Sequence, residues 1–252
     1  MPVTKKSPLP PARAEWAYFL DVDGTLIELA ASPGAVQVDD ALLGLVARLH
    51  HACGGALALV SGRSLGDLER LLGSVRIPLA GQHGLERRDA LGRLHTHATP
   101  PAAKRGLRQR LDALVARHPG LLLEDKGLTL ALHYRQAPQL AAWLHRQLAE
   151  WVAATEGLQL QKGKRVLEIK PAGFDKGSAI AEFMAEPPFH GRRPVFIGDD
   201  VTDEHGFARV NLIDGLTVKV GAGKTAARHR LASTAAVRAW LAAAISPQGD
   251  VS

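Results

Sequence analysis

Apolar runs that stop at charged turns divide this chain into segments. The first, Trp16, Tyr18, Phe19 and Leu20, reads as a buried strand and ends on Asp21-Val22-Asp23-Gly24-Thr25. Leu42, Leu45, Val46 and Leu49 then recur at helical spacing. Gly54-Gly55 stops that helix, and residues 56–60 (ALALV) suit a short buried parallel strand. After SGRS, Leu65, Leu68, Leu71 and Leu72 mark a second helix, and residues 77–84 (IPLAGQHG) read as another strand. Strand and helix in alternation predict a parallel sheet.

The pattern then changes. Residues 93–97 read as a strand, and a proline-started helix covers 102–117. Two short runs, 121–125 and 128–134, flank Lys126-Gly127 as a hairpin. A helix over 138–155 precedes a second hairpin, LQLQK and RVLEIK around Gly163. Helix plus hairpin, twice, predicts an α+β module with an antiparallel sheet. From Asp175 the first pattern resumes, with strands over 193–200 and 216–221. The expectation is a disordered arm (1–13), a discontinuous core domain (14–85 and 170–246) and an inserted domain (86–169).

Composition narrows the classes. The chain has 252 residues, 46% hydrophobic and 22% charged, as expected of a globular protein. Cys53, the one cysteine, excludes an internal disulfide and follows a helical pattern that predicts a packed thiol. The N-terminus lacks the apolar segment of a secretory signal, and no apolar stretch is long enough to cross a membrane. The expectation is a cytoplasmic, membrane-free protein, a monomer with a dimer left open. The net charge of +6 comes from residues 87–168, which hold 14 basic against 7 acidic side chains. That excess is either a solvated surface or a field attracting an anionic ligand. Nucleic acid is disfavoured, because the basic segment offers only Tyr134, Trp143 and Trp151 for stacking.

Four motifs fall at strand ends, where open α/β sheets bind ligands. Asp21 and Asp23, two apart, would face the same way on a continuing strand, one carboxylate to attack or bind metal and one to handle a proton. Each motif also has a plain reading; Asp-Gly is a frequent turn former. Ser61-Gly62-Arg63 offers a hydroxyl and helix-start N–H groups to an anion. Lys176 opens a helix where a phosphate would sit, and Asp199, Asp200, Asp203 and Glu204 cluster after an apolar strand. Paired aspartates opposite another pair suit a hard cation such as Mg²⁺.

DVDGT, SGR, the late lysine and GDDVTDE, in that order, resemble the haloacid dehalogenase superfamily. The resemblance implies a Rossmann-like parallel-sheet core with an inserted α+β cap. By motif match it makes Asp21 the nucleophile, Asp23 the acid–base, and Ser61 and Lys176 the phosphate-holding residues. It makes Asp199 a Mg²⁺ ligand with Asp21 and Asp23, while Asp200 and Asp203 steady metal waters and Lys176. GQHGLE, EDKGLTLALHYR, KGKRVLEIKPAGFDKGSAI and GDDVTDE are further similar to trehalose-6-phosphate phosphatases. That similarity implies sugar contacts from Glu124, Lys126, His133, Arg135, Lys164 and Glu168. His83 and Gly84 would join Ser61, Gly62 and Arg63 in facing the substrate. The implied reaction is Mg²⁺-dependent hydrolysis of trehalose 6-phosphate through an aspartyl-phosphate. A phosphatase for another sugar phosphate, such as sucrose 6-phosphate, is the alternative.

Overall fold

A computed structural model of the chain describes residues 8–28, 38–97, 101–163 and 165–245, with backbone alone at 101 and 102. The chain forms two compact units, 1–95 with 175–252, and 96–174.

The larger unit is built on β1 (Ala17–Leu20), β2 (Leu57–Val60), β3 (Leu79–Gly81), β4 (Glu86–Arg88), β5 (Leu94–Thr96), β10 (Pro194–Gly198), β11 (Leu216–Val220) and β12 (His229–Leu231). They lie in the order β12-β11-β10-β1-β2-β3-β4-β5. The pairs from β12 through β3 are parallel, and β4 turns back antiparallel on β3. Strands β1, β2, β10 and β11 are buried at every position, which is why their sequences are unbroken apolar runs rather than alternating ones.

Helices α1 (Asp40–Ala52), α2 (Leu65–Leu72), α5 (Lys176–Met184), α6 (Glu204–Leu212) and α7 (Thr234–Ala243) complete this unit. Asp39, Ser64, Asp175 and Ser233 cap α1, α2, α5 and α7, each accepting from a first-turn N–H. The path β1-α1-β2 moves one way along the sheet and β10-α6-β11 the other. Both crossovers share one hand, so the connecting helices fall on opposite faces, and the order reverses between β1 and β10. Phe19, Phe183 and Phe189 pack mutually at 5.1–6.0 Å inside this core, one pair stacked and two tilted, each adding about 1 kcal/mol beyond burial.

The smaller unit holds α3 (Pro101–Arg117), β6 (Leu122–Asp125), β7 (Leu130–His133), α4 (Ala141–Ala153), β8 (Leu158–Gly163) and β9 (Val166–Pro171). Its strands form an antiparallel sheet in the order β6-β7-β9-β8. Leu130, Leu132, Leu167 and Ile169 pack with Leu107, Leu111 and Leu114 of α3 and Leu144, Leu148 and Val152 of α4. The register sets Glu124, Ala131, Glu168 and Gln161 in one cross-strand row on the other face. With its helices on one side, the sheet is polar on the other.

Several expectations need correction. Residues 86–95 belong to the larger unit, because β4 and β5 extend its sheet, and residues 170–174 belong to the smaller one, so the breaks fall at 95/96 and 174/175. Of the arm expected to be disordered, 8–13 is ordered: Trp240 donates to the Pro10 carbonyl at 2.9 Å, Tyr18 donates to that of Arg13 at 2.6 Å, and Ala12 is buried. Residues 1–7 lie outside the described residues. The strand expected over 77–84 shortens to β3 and runs into a 3-10 turn, Gln82–Gly84. The helix expected from Pro138 opens as a 3-10 turn, Pro138–Leu140, and becomes α-helical at Ala141. The helix α7 and the strands β4 and β12 carry patterns too short or too alanine-rich to stand out in the sequence. Cys53 is buried, and burial pushes its thiol up to about 11.

Candidate active site

The site grows from the end of β1. The strand stops at Leu20, and Leu26 N–H and Ile27 N–H close a turn on the Val22 carbonyl. Asp21 and Asp23 therefore do not share a strand face, and their carboxylates meet different partners. Asp21 is buried; it accepts from Lys176 Nζ at 2.7 Å and from Thr25 Oγ1 at 3.2 Å. Lys176, the first residue of α5, also donates to Asp203 Oδ1 at 2.6 Å. Lysine and Asp203 are fully enclosed, so one ammonium joins two carboxylates from segments 155 and 27 residues distant.

Burial pushes the Asp21 carboxyl well above the usual carboxylate range; the Asp203 and Asp199 carboxylates add to that rise and the Lys176 ammonium opposes it. Burial acts against the charge on Lys176, but Asp203 and Asp21 outweigh it and hold the ammonium above its ordinary value. Asp199 is pushed up to about 6, first by burial and then by Asp203 and Asp200.

Ligand atoms of Asp21, Asp199 and Asp203 lie within 4.8 Å of one another. Asp199 Oδ1 is buried with no hydrogen-bond partner among the described residues. A Cβ on Gly24 (φ +78°) would stand 2.2 Å from Asp199 Oδ2, so the turn admits only glycine. Three carboxylates facing one lysine, with one oxygen unpartnered, fit a hard divalent cation. Asp200 does not join this group. It is exposed, and its side chain caps the short turn at Val201–Asp203 while its N–H donates to Asp203 Oδ2 at 2.8 Å. The Asp23 carboxylate is likewise engaged elsewhere, in a two-point pair with Arg63.

Ser61 lies buried past β2, its Oγ accepting from Arg63 N–H at 3.2 Å. The 3-10 turn after β3 braces this loop: Gln82 N–H donates to the Arg63 carbonyl at 2.7 Å and His83 N–H to that of Ser61 at 2.9 Å. Gln82 and His83 both adopt left-handed backbone (φ +46° and +59°), an uncommon conformation for residues bearing a Cβ. The His83 ring sits where a side chain on Gly62 would go, 2.7 Å from its Cβ position. A Cβ on Gly84 would stand 2.6 Å from the Asp175 carbonyl oxygen at the entrance to α5, so only glycine lets the turn approach that helix. One turn thus touches both the SGR loop and the lysine helix. Glu86 Oε1 ties it further, accepting from Leu65 N–H at 2.8 Å and Gln82 Nε2 at 3.0 Å.

The smaller unit gathers most of the remaining candidates on its polar sheet face. Glu124 meets His133 Nε2 at 2.8 Å, and buried Glu168 accepts from Thr129 Oγ1 at 2.7 Å, with Lys126 Nζ 3.5 Å away. Arg135 lies exposed beyond the end of β7, and Lys164 lies outside the described residues. The same face carries Gln159, Gln161 and fully buried Lys170, which sequence reasoning missed. Their signal was present in the period-two alternation of Leu158-Gln159-Leu160-Gln161. Also missed was Lys219, buried on β11, which donates to the main-chain carbonyls of Asp199 and Val220. Lysine inside an apolar strand has no local signal of its partner.

A parallel sheet of this order, with carboxylates leaving β1 and β10 at its reversal point, is the core of a haloacid dehalogenase superfamily protein. Residues 19–237 match the family model described as trehalose-phosphatase. The chain belongs to that family. It is 48% identical over 232 residues to the trehalose-6-phosphate phosphatase of Escherichia coli (strain K12), covering 92% of this chain and 87% of the relative. It is 47% identical over 208 residues to a probable trehalose-phosphate phosphatase of Sinorhizobium fredii, covering 82% and 78%. Among solved structures, the C-terminal domain of C. albicans trehalose-6-phosphate phosphatase shares the fold at a TM-score of 0.80 and 22% identity, over 90% of this chain and 91% of that one.

Proposed function

We propose that the protein hydrolyses trehalose 6-phosphate to trehalose and phosphate, with Asp21 as nucleophile. The observation that carries this reading is buried Lys176 held between Asp21 and Asp203, beside the unpartnered oxygen of Asp199. A phosphate dianion repels a carboxylate, so attack needs positive charge at both. Lys176 supplies one such charge at a fixed place. Asp21, Asp199 and the Asp23 main-chain carbonyl would hold Mg²⁺, with Asp203 beside it; when bound, the cation neutralises phosphate and nucleophile charge. Asp21 attacks phosphorus as the bond to the sugar oxygen breaks, and Asp23 gives that oxygen its proton. Asp23 then takes a proton from water as the water oxygen displaces Asp21 from phosphorus. Ser61 and the Gly62 backbone present donors to the phosphoryl oxygens, where positioning and charge matter most.

Sugar selectivity falls to Glu124, Lys126, His133 and Glu168, with Arg135 and Lys164 added by motif match. Carboxylates accept from paired hydroxyls while the cations donate. In this reading the enzyme works as a cytoplasmic monomer on a small soluble substrate. Among the described residues no helix is long and apolar enough to cross a membrane.

The test is phosphate release across trehalose 6-phosphate, sucrose 6-phosphate and glucose 6-phosphate, with Mg²⁺ and with chelator. The expected result is turnover of the first ester alone, lost on chelation, and at least ~10³-fold slower in Asp21→Asn. Mass spectrometry of the quenched wild type should find phosphate on Asp21. Equal turnover of the three esters overturns the substrate, and an active Asp21→Asn overturns the nucleophile.

A further inference from the structure

We propose that Arg63 is a positioning residue for Asp23, acting through that carboxylate rather than as a ligand of the phosphate. The proposal rests on the reading of Asp23 as acid–base. Arg63 Nε donates to Asp23 Oδ2 at 2.6 Å and Nη2 to Asp23 Oδ1 at 2.6 Å. One planar fork therefore takes both oxygens, which fixes the plane of the carboxylate as well as its position. The arginine is the enclosed member, its side chain 12% exposed against 30% for Asp23, so the carboxylate is the group offered outward.

The fork is itself held. Arg63 N–H donates to Ser61 Oγ, and the Arg63 carbonyl accepts from Gln82 at 2.7 Å. The turn after β1 holds the Asp23 backbone, through its bridge to Ile27, but among the described residues it offers no donor to the carboxylate. Among the described residues, Arg63 is the one group that donates to the Asp23 carboxylate. To carry a proton, Asp23 must give up one of the two bonds, and the other still aims it.

This assignment has a kinetic signature. In the first displacement the bond from Asp21 to phosphorus forms, the bond to the leaving oxygen breaks, and the Asp23 proton moves to that oxygen. A sugar alkoxide is a poor leaving group and needs the proton; a nitrophenolate leaves without it. Well-placed general acids contribute about 10²–10⁴-fold, and misplacement by an ångström forfeits much of that. A residue that served the phosphate or the fold would affect both esters alike.

The experiment compares trehalose 6-phosphate with p-nitrophenyl phosphate, both with Mg²⁺, for Asp23→Asn, Arg63→Ala, Arg63→Lys and the double variant Asp23→Asn/Arg63→Ala. The expected result for each Arg63 variant is a fall in kcat at least tenfold greater on trehalose 6-phosphate than on p-nitrophenyl phosphate. Lysine does not restore the rate, because one ammonium cannot hold both oxygens. The double variant is no slower than Asp23→Asn, and added guanidinium partly rescues Arg63→Ala on the sugar ester. Equal losses on both esters, or a raised KM with kcat kept, overturn the proposal while leaving the acid–base reading in place. An Asp23→Asn variant that treats both esters alike overturns that reading and the proposal with it. Should Arg63→Ala fail to fold, Arg63→Lys decides by the same ratio.

Discussion

Gly62 has neighbours on every side that matter: the serine whose hydroxyl accepts from Arg63 N–H, the arginine that grips Asp23, and the His83 ring standing where its Cβ would be. Gly62→Ala must push either that ring or the loop, and His83 has little freedom in its left-handed backbone. The expected outcome is a fall in kcat/KM of roughly 10- to 100-fold with little change in melting temperature, because shifts well under the size of a side chain misplace reacting groups. Steady-state kinetics beside a thermal melt checks it. A loss confined to the melt would mean the position serves packing alone.

Among elements, the β4–β5 hairpin is pinned by two buried charges. Arg87 reaches back to Glu182 on α5 at 2.9 Å and to both oxygens of Glu186 just past its end, lying over Phe183. Asp89, its side chain 1% exposed, accepts from Leu91 and Arg93 N–H and from the Arg93 and His95 side chains. Burial alone would raise its carboxyl; the bonds from His95, Arg93 and Leu91 outweigh that and hold it well below the usual range. A depressed folded-state value stabilises fully above the unfolded one, about pH 4, and the gain is lost as pH falls through the folded value. Asp89→Asn should cost about 1–3 kcal/mol at neutral pH. Denaturation curves should show that difference shrinking below pH 4; a difference independent of pH would assign the cost to shape instead of charge.

Over the whole molecule the two units carry separable duties in the proposed reaction, phosphoryl chemistry in one and sugar choice in the other. Glu168→Ala removes the acceptor for Thr129 and the partner of Lys126 from the polar sheet face. KM for trehalose 6-phosphate should rise by roughly 10- to 100-fold, the worth of a charged hydrogen bond. The change on p-nitrophenyl phosphate, which has no disaccharide, should be much smaller. Equal losses on both would remove Glu168 from sugar recognition.

What could be read from the chain by itself was whatever depends on neighbours in sequence. Unbroken apolar runs ending at Asp21, Ser61 and Asp199 marked buried strands and the acids and hydroxyl at their ends, since burial on both faces leaves no other composition. Turn residues and the shift in periodicity after residue 92 announced the antiparallel module. Which distant groups meet was decided only by strand order and packing. Lys176 lies 155 residues from Asp21 and Arg63 lies 40 from Asp23; no local pattern encodes either distance. Likewise Trp240 orders residues 8–13, and the register of β8 on β9 turns Gln159 and Gln161 toward Glu168. Periodicity and turn chemistry are short-range and legible one segment at a time, whereas partners across the fold follow from how whole strands and helices fill shared volume.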